Sequence, residues 1–211
     1  MSDTLEMQTL ALVLGIAGLS IACHQPNEPH GHRSGSATLP GSPAVSAGVL
    51  DLEIQQIVGT TRYRLLSPAF VVELDGKPAF KPDPTITPDG KAIVNGTIAS
   101  YTSDRISQGV GYMPVPSALL ESYNVATATA VDRMLASFPR DYQSRREPAT
   151  LGPLAATHVV ADGGAATARI HLESWLAWDP EHHVMYAVQV VGNDIATTAD
   201  AKRLHDSFVA R

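Results

Sequence analysis

The sequence predicts an α+β domain built on a mainly antiparallel sheet. Three observations carry that prediction. Residues 168–178 and 183–191 alternate apolar and polar positions on either side of a short turn at 179–182, the pattern of a long antiparallel hairpin. Upstream, Leu120, Tyr123, Thr127, Val131, Met134 and Phe138 recur every three or four residues, which makes one helical stripe. Downstream, Ala201, Leu204 and Phe208 repeat that spacing behind Thr197-Ala-Thr-Asp200, a run able to form a reciprocal capping box.

The elements follow in chain order. Residues 52–57, 63–66 and 70–74 read as three strands, the last stopped by the turn signal Asp75-Gly76. Residues 77–89 hold several prolines and read as loop. Residues 92–98, leading into Tyr101, and 106–115 are strand-like, the latter closed by Pro114 and Pro116. Ser117 can cap the central helix with its hydroxyl, alanines at 126, 128 and 130 favour it, and Pro139 stops it. Residues 142–146 and 154–160 are strand candidates, with Asp162-Gly163-Gly164 as the turn. In the hairpin, Ile170, Leu172, Leu176 and Trp178 share one face. Val184, Tyr186, Val188 and Val190 share a face of the second strand. The order strands, helix, strands, helix is that of an α+β fold.

Composition bounds the chemistry. Of 211 residues 44% are hydrophobic, and 15 basic against 21 acidic side chains leave a net charge of −6. That balance argues against a nucleic-acid partner, because phosphate binding draws on a basic surface. With one cysteine no internal disulfide can form, so core packing must hold the fold, and a domain of this size can bury enough surface for that. Residues 24–48 are dominated by Pro, Gly, Ser and Ala. Such a stretch cannot offset its ordering entropy by burial and reads as a flexible tether.

That lone cysteine, Cys23, ends the apolar run of residues 10–22. The run is shorter than the roughly 20 residues a spanning helix needs and fits the apolar part of an export signal. Small residues at Ser20 and Ala22 before the cysteine resemble a bacterial lipoprotein cleavage and lipidation site. Two departures stand beside that likeness: Ser20 occupies the place where leucine is commonest, and the leader carries Asp3 and Glu6 with no Lys or Arg. The resemblance implies a signal peptide over 1–22, a tether over 23–48 and a domain over 49–211. It also implies attachment to a membrane through acyl chains such as palmitate on Cys23, more than one chain being needed for stable anchoring. The alternative is an incidental free thiol behind a signal cut elsewhere. His24 follows the cysteine, and it is not the Asp that resembles an inner-membrane retention signal. In a host with two membranes the outer one is therefore expected, with the domain facing the periplasm or exterior.

The central helix, the strands of 142–191 and the closing Asp206-Ser207-Phe208 resemble the PsbP-like superfamily, which includes bacterial lipoproteins of the LpqN and DcrB type. The likeness covers about two thirds of the chain and quotes no catalytic motif. It implies an antiparallel sheet with helices packed on its faces, a PsbP-like sandwich, and a role as binding or assembly factor. The Trp and Gly-rich strand start often seen in such domains is missing here.

Few residues point to chemistry. His24, His30 and His32 crowd the tether. A metal site needs fixed geometry and other donors, so a solvated linker is the plainer reading and metal chelation the alternative. His182 and His183 sit at the hairpin tip and, as neighbours, point apart. His171, Glu173 and Trp175 alternate on one strand face and are the candidates for lining a groove, or else a half-exposed face with ordinary cross-strand partners, as register decides. His158 and His205 read as isolated. No nucleophile elbow, Ser-x-x-Lys pair, zinc-protease helix or phosphate cradle occurs, and no cofactor is implied. The expectation is a non-enzymatic envelope lipoprotein that binds a protein or small molecule. The alternatives are a metal-binding protein using the tether histidines and a hydrolase with a dispersed site.

Overall fold

Two antiparallel sheets carry the described chain. A computed structural model describes residues 52–86, 93–114, 131, 135, 142–164, 169–193 and 196–211. The expected signal peptide, Cys23, the tether histidines and most of the expected central helix lie outside these residues.

The smaller sheet has the order β1-β2-β3-β11, with β1 Glu53–Gln56, β2 Tyr63–Leu66, β3 Phe70–Leu74 and β11 Val209–Ala210. The larger has the order β4-β5-β6-β10-β9-β8-β7. Its strands are β4 Ala79–Ile86, β5 Ile93–Thr102, β6 Ile106–Pro114, β7 Gln143–Leu151, β8 Leu154–Gly163, β9 Ile170–Asp179 and β10 Val184–Gly192. Helix α1 spans Ala196–Ser207. Every strand pairing is antiparallel.

The expected α+β sandwich, with helices packed on the faces of one sheet, is corrected by this arrangement. Strand dominates the described residues, and strands 53–74 form a second sheet instead of extending the first. The cause is readable in β3, where Phe70, Val72 and Leu74 are buried and the residues between them are not. A strand pair with one apolar face must cover another apolar surface. With Leu65 it closes over Val110 of β6, Trp175 and Ala177 of β9, and Val184, Tyr186, Val188 and Val190 of β10. Helix α1 completes that core beside the small sheet, through Ala201 and Leu204, with Phe208 just beyond it. On the opposite face of the large sheet, Val159, Ala161, Leu172, Leu176 and Val191 form a second cluster. Val131 and Leu135, the two described positions of the expected central helix, are helical and pack there.

Aromatic rings join the two sheets. Phe70 of β3 stacks on Phe208 at 5.9 Å and 15°. Tyr186 of β10 meets Phe70 and Phe208 edge-on at 5.9 and 5.3 Å. The Tyr186 hydroxyl donates to the Ala69 carbonyl at 3.2 Å, and burial pushes its ionisation well above that of a free phenol. The last residues pair with β3, and the amide of Arg211 donates to Ala69 at 2.9 Å.

Two local expectations fail. Residues 79–86, expected as loop, form β4, because an edge strand tolerates Pro82 and Pro84 where their missing amides face no neighbour. Residues 162–163, expected as turn, end β8. The β7–β8 turn falls instead at Gly152-Pro153, with Gly152 at a φ of +56°. The closing hairpin forms as the alternation requires, Val184 opposite Asp179 and Gly192 opposite His171.

Candidate functional site

The β7–β8 turn at Gly152 sets a register that assembles side chains distant in sequence. Across β8 and β9, Asp162 stands opposite His171, Val160 opposite Glu173 and His158 opposite Trp175. Across β7 and β8, Glu147 stands opposite His158. Opposed residues share a face, and this face belongs to the main core. Helix α1 lies over it, bringing Thr198 and His205, which a seven-residue separation keeps on one side of the helix.

The result is an alternating chain of carboxylates and imidazoles. His171 Nδ1 lies 2.6 Å from Asp162 Oδ1, and its Nε2 lies 3.0 Å from Glu173 Oε1. His158 Nε2 lies 3.0 Å from Glu173 Oε2, and its Nδ1 lies 3.1 Å from Glu147 Oε1. Glu173 therefore receives one histidine on each oxygen. Its side chain is only 9% exposed, whereas the terminal carboxylates Glu147 and Asp162 are 55% and 43% exposed. The His158 ring lies flat on Trp175, 4.4 Å between centroids and 7° between planes. On Trp175 a second imidazole, that of His205, rests at 4.8 Å. The Nε2–H of His205 donates to the Thr150 carbonyl at 2.7 Å.

The protonation state follows from donor counting. A neutral imidazole offers one N–H and one lone pair, and a carboxylate only accepts. Each ring here faces carboxylates at both nitrogens, so only the doubly protonated ring satisfies every contact. Burial pushes the His158 pKa down, but its bonds to Glu173 and Glu147 outweigh this and raise it above the ordinary value. For His171 the bond to Glu173 is the largest influence, and with Asp162 it overcomes burial to raise the pKa. Burial would raise Glu173, yet His158, His171 and Thr198 hold it down at about 2. With both rings charged, three carboxylates and two imidazoliums sum to one negative charge.

Such an arrangement leaves no basic nitrogen. Thr198 Oγ1 lies 3.3 Å from His171 Nε2, and Asp162 holds the other nitrogen, which outlines a hydroxyl–imidazole–carboxylate line. Glu173 occupies the same Nε2 at shorter distance, so the ring cannot accept the hydroxyl proton while the chain is intact. Among the described residues no group of three or more His, Cys, Asp or Glu side chains is arranged to hold a metal ion.

Of the predicted groove residues, His171, Glu173 and Trp175 do share one face, and the first two are bonded directly. His158 and His205, read as isolated, flank Trp175 instead. The sequence does not mark Glu147 and Asp162 as site residues, because their place depends on a cross-strand register that the expected turn misplaces. At the hairpin tip, His182 Nδ1 bonds Asp179 Oδ2 at 2.8 Å, and His183 takes a φ of +57°.

No family model matches the chain, and no curated protein matches it. Among solved structures it is similar to LpqN, described as involved in cell envelope biogenesis of Mycobacterium tuberculosis. The identity is 11% and the TM-score 0.40, over 64% of this chain and 92% of that one. Among the described residues no helix is long and apolar enough to cross a membrane.

Proposed function

We propose that the chain is a lipid-anchored envelope protein whose two-sheet domain binds a partner outside the cytoplasm and is not an enzyme. The observation that carries the reading is Cys23, standing between a short apolar run and a Pro/Gly/Ser-rich tether. In that setting the thiol is the acyl acceptor and residues 24–48 give the domain reach. The charge balance of the His–carboxylate chain is not needed for this reading, but its geometry supports the non-catalytic part. All four ring nitrogens of His158 and His171 are spent on carboxylates, and a general base needs a free one.

Metabolic labelling with a clickable fatty acid tests the anchor. Label should enter the wild-type chain and be lost in Cys23→Ser, which should move from the membrane to the soluble fraction with its fold intact. Label absent from the wild type rejects the anchor. A crosslinked pull-down from envelope fractions, wild type against Cys23→Ser, then addresses the partner.

A hydrolytic reading would draw on the Thr198–His171–Asp162 line and would need Glu173 to leave His171 Nε2. Turnover of a panel of activated esters that disappears in Thr198→Ala would establish it in place of the binding role.

A further inference from the structure

We propose that the chain Asp162–His171–Glu173–His158–Glu147 is a protonation latch that fastens edge strand β7 to the β8–β9 pair and slackens when its imidazoles lose their charge. The inference goes beyond the anchor reading and holds whichever partner the domain binds.

The argument starts from the count of donors. Two doubly protonated rings supply four N–H groups to four carboxylate contacts, at 2.6 to 3.1 Å. Loss of one proton from each ring leaves two N–H groups for the same four contacts, and a lone pair then faces a carboxylate oxygen at the other two. Which contacts fail is decided by exposure. Glu173 is buried and cannot turn to water, so each ring keeps its Nε2–H on Glu173 and releases its partner at Nδ1. Those released partners, Glu147 and Asp162, are half-exposed and can hydrate.

The two releases differ in consequence. Asp162 belongs to β8, which is held on both sides by β7 and β9. Glu147 belongs to β7, which pairs with β8 alone and is exposed along most of its length. Freeing Glu147 therefore removes a tie from an edge strand that pairs on one side only, and strand edges open at low free energy. A separate tie links β7 to α1, the bond of His205 to the Thr150 carbonyl.

The charged and titratable groups facing the two rings come from each packed element. Strand β7 supplies Glu147 and, two residues earlier on the same face, Arg145. Strand β8 supplies Asp162, and β9 supplies Glu173, with Arg169 just before its start. Across Trp175, helix α1 supplies His205, whose Nδ1 lies 3.1 Å from Asp206 Oδ1. Carboxylates make the four shortest contacts to the ring nitrogens, with Thr198 Oγ1 at 3.3 Å from His171 Nε2, and the raised values of both histidines agree with that.

The test uses the full chain in detergent micelles. Histidine ring NMR reads the titration of His158 and His171, and amide hydrogen exchange, corrected for base catalysis, reads β7 against β10. Both rings should titrate above the free-imidazole value of about 6.5. Over the same range, protection at residues 143–147 should fall by roughly tenfold while β10 stays constant. His158→Gln should remove the pH step in β7 protection, whereas His182→Gln should leave it unchanged. Should His158→Gln fail to fold, the wild-type titration decides. Rings that titrate at or below 6.5, or β7 protection that tracks β10 throughout, overturn the latch.

Discussion

His158 lies parallel to Trp175 at 4.4 Å while its two nitrogens hold Glu147 and Glu173. From β8 the ring thus reaches both neighbouring strands, β7 and β9, and its charged form is favoured both by the carboxylates and by the face of the indole. Trp175 in turn belongs to the main core, so the polar chain and the apolar core are continuous at this residue.

Glu173 is the joint on which that arrangement turns. Glu173→Gln keeps the shape but replaces two charge-assisted acceptors with one carbonyl and one NH2, which confronts a histidine with a donor. The expected cost is about 2–3 kcal/mol at neutral pH, measured by urea denaturation. Both His158 and His171 should titrate lower in the variant. A loss below about 0.5 kcal/mol would show that the chain contributes little to the fold.

The acid limb of stability follows with a definite sign. The Glu173 carboxyl titrates near 2 in the fold, below its unfolded value of about 4.3. A depressed carboxylate contributes stability that is fully present above the unfolded value and is lost as pH falls through the folded one. Wild-type stability should therefore decline between about pH 4.5 and 2, and Glu173→Gln should lack that part of the decline. Denaturation midpoints collected across this window, wild type beside variant, provide the check; parallel curves would contradict it.

How much of this was legible in the chain depends on where the alternation is apolar. The β9–β10 hairpin declares itself because Leu172 and Leu176 alternate with His171, Glu173 and Trp175, and the two sets face different clusters. Strand β7 reads Gln-Ser-Arg-Arg-Glu-Pro-Ala-Thr-Leu and is mostly exposed. An edge strand needs no apolar period, so only its first residues stand out. Strand β4 is hidden by two prolines for the same reason. The second sheet is invisible because its strands carry ordinary alternation, and nothing in 53–74 states whether they join the large sheet or cover it. That choice is made by Phe70 meeting Tyr186 and Phe208, a contact between residues far apart in sequence. The candidate site shares this limit: His171 and Glu173 are two residues apart, but Glu147 and Asp162 arrive through pairing.

The hairpin tip offers an independent measurement. Asp179 is buried, and its Oδ1 accepts from the amides of Glu181 and His182 at 3.0 and 3.1 Å. Burial would raise this carboxyl, but the His182 ring and those two amides lower it instead. Asp179→Ala should cost about 1–2 kcal/mol by stranding the turn amides. Asp179→Asn, which keeps an accepting oxygen, should recover about half. Thermal unfolding of the two variants side by side distinguishes them, and equal losses would deny the turn amides any role.

Phe208 tests the two-sheet architecture itself. Its ring stacks on Phe70 of the small sheet, meets Tyr186 of the large one edge-on, and is buried behind the last turn of α1. Phe208→Ala removes the side chain that both sheets share, leaving a cavity that the flanking strands cannot close without moving together. The expected loss is about 3–4 kcal/mol. Because β11 begins at the next residue and pairs only with β3, amide protection at Val71 should fall further than at Val188 in β10. Helices packed on a single sheet would give no reason for that asymmetry. Equal losses of protection at both positions would therefore count against Phe208 as the join between the sheets.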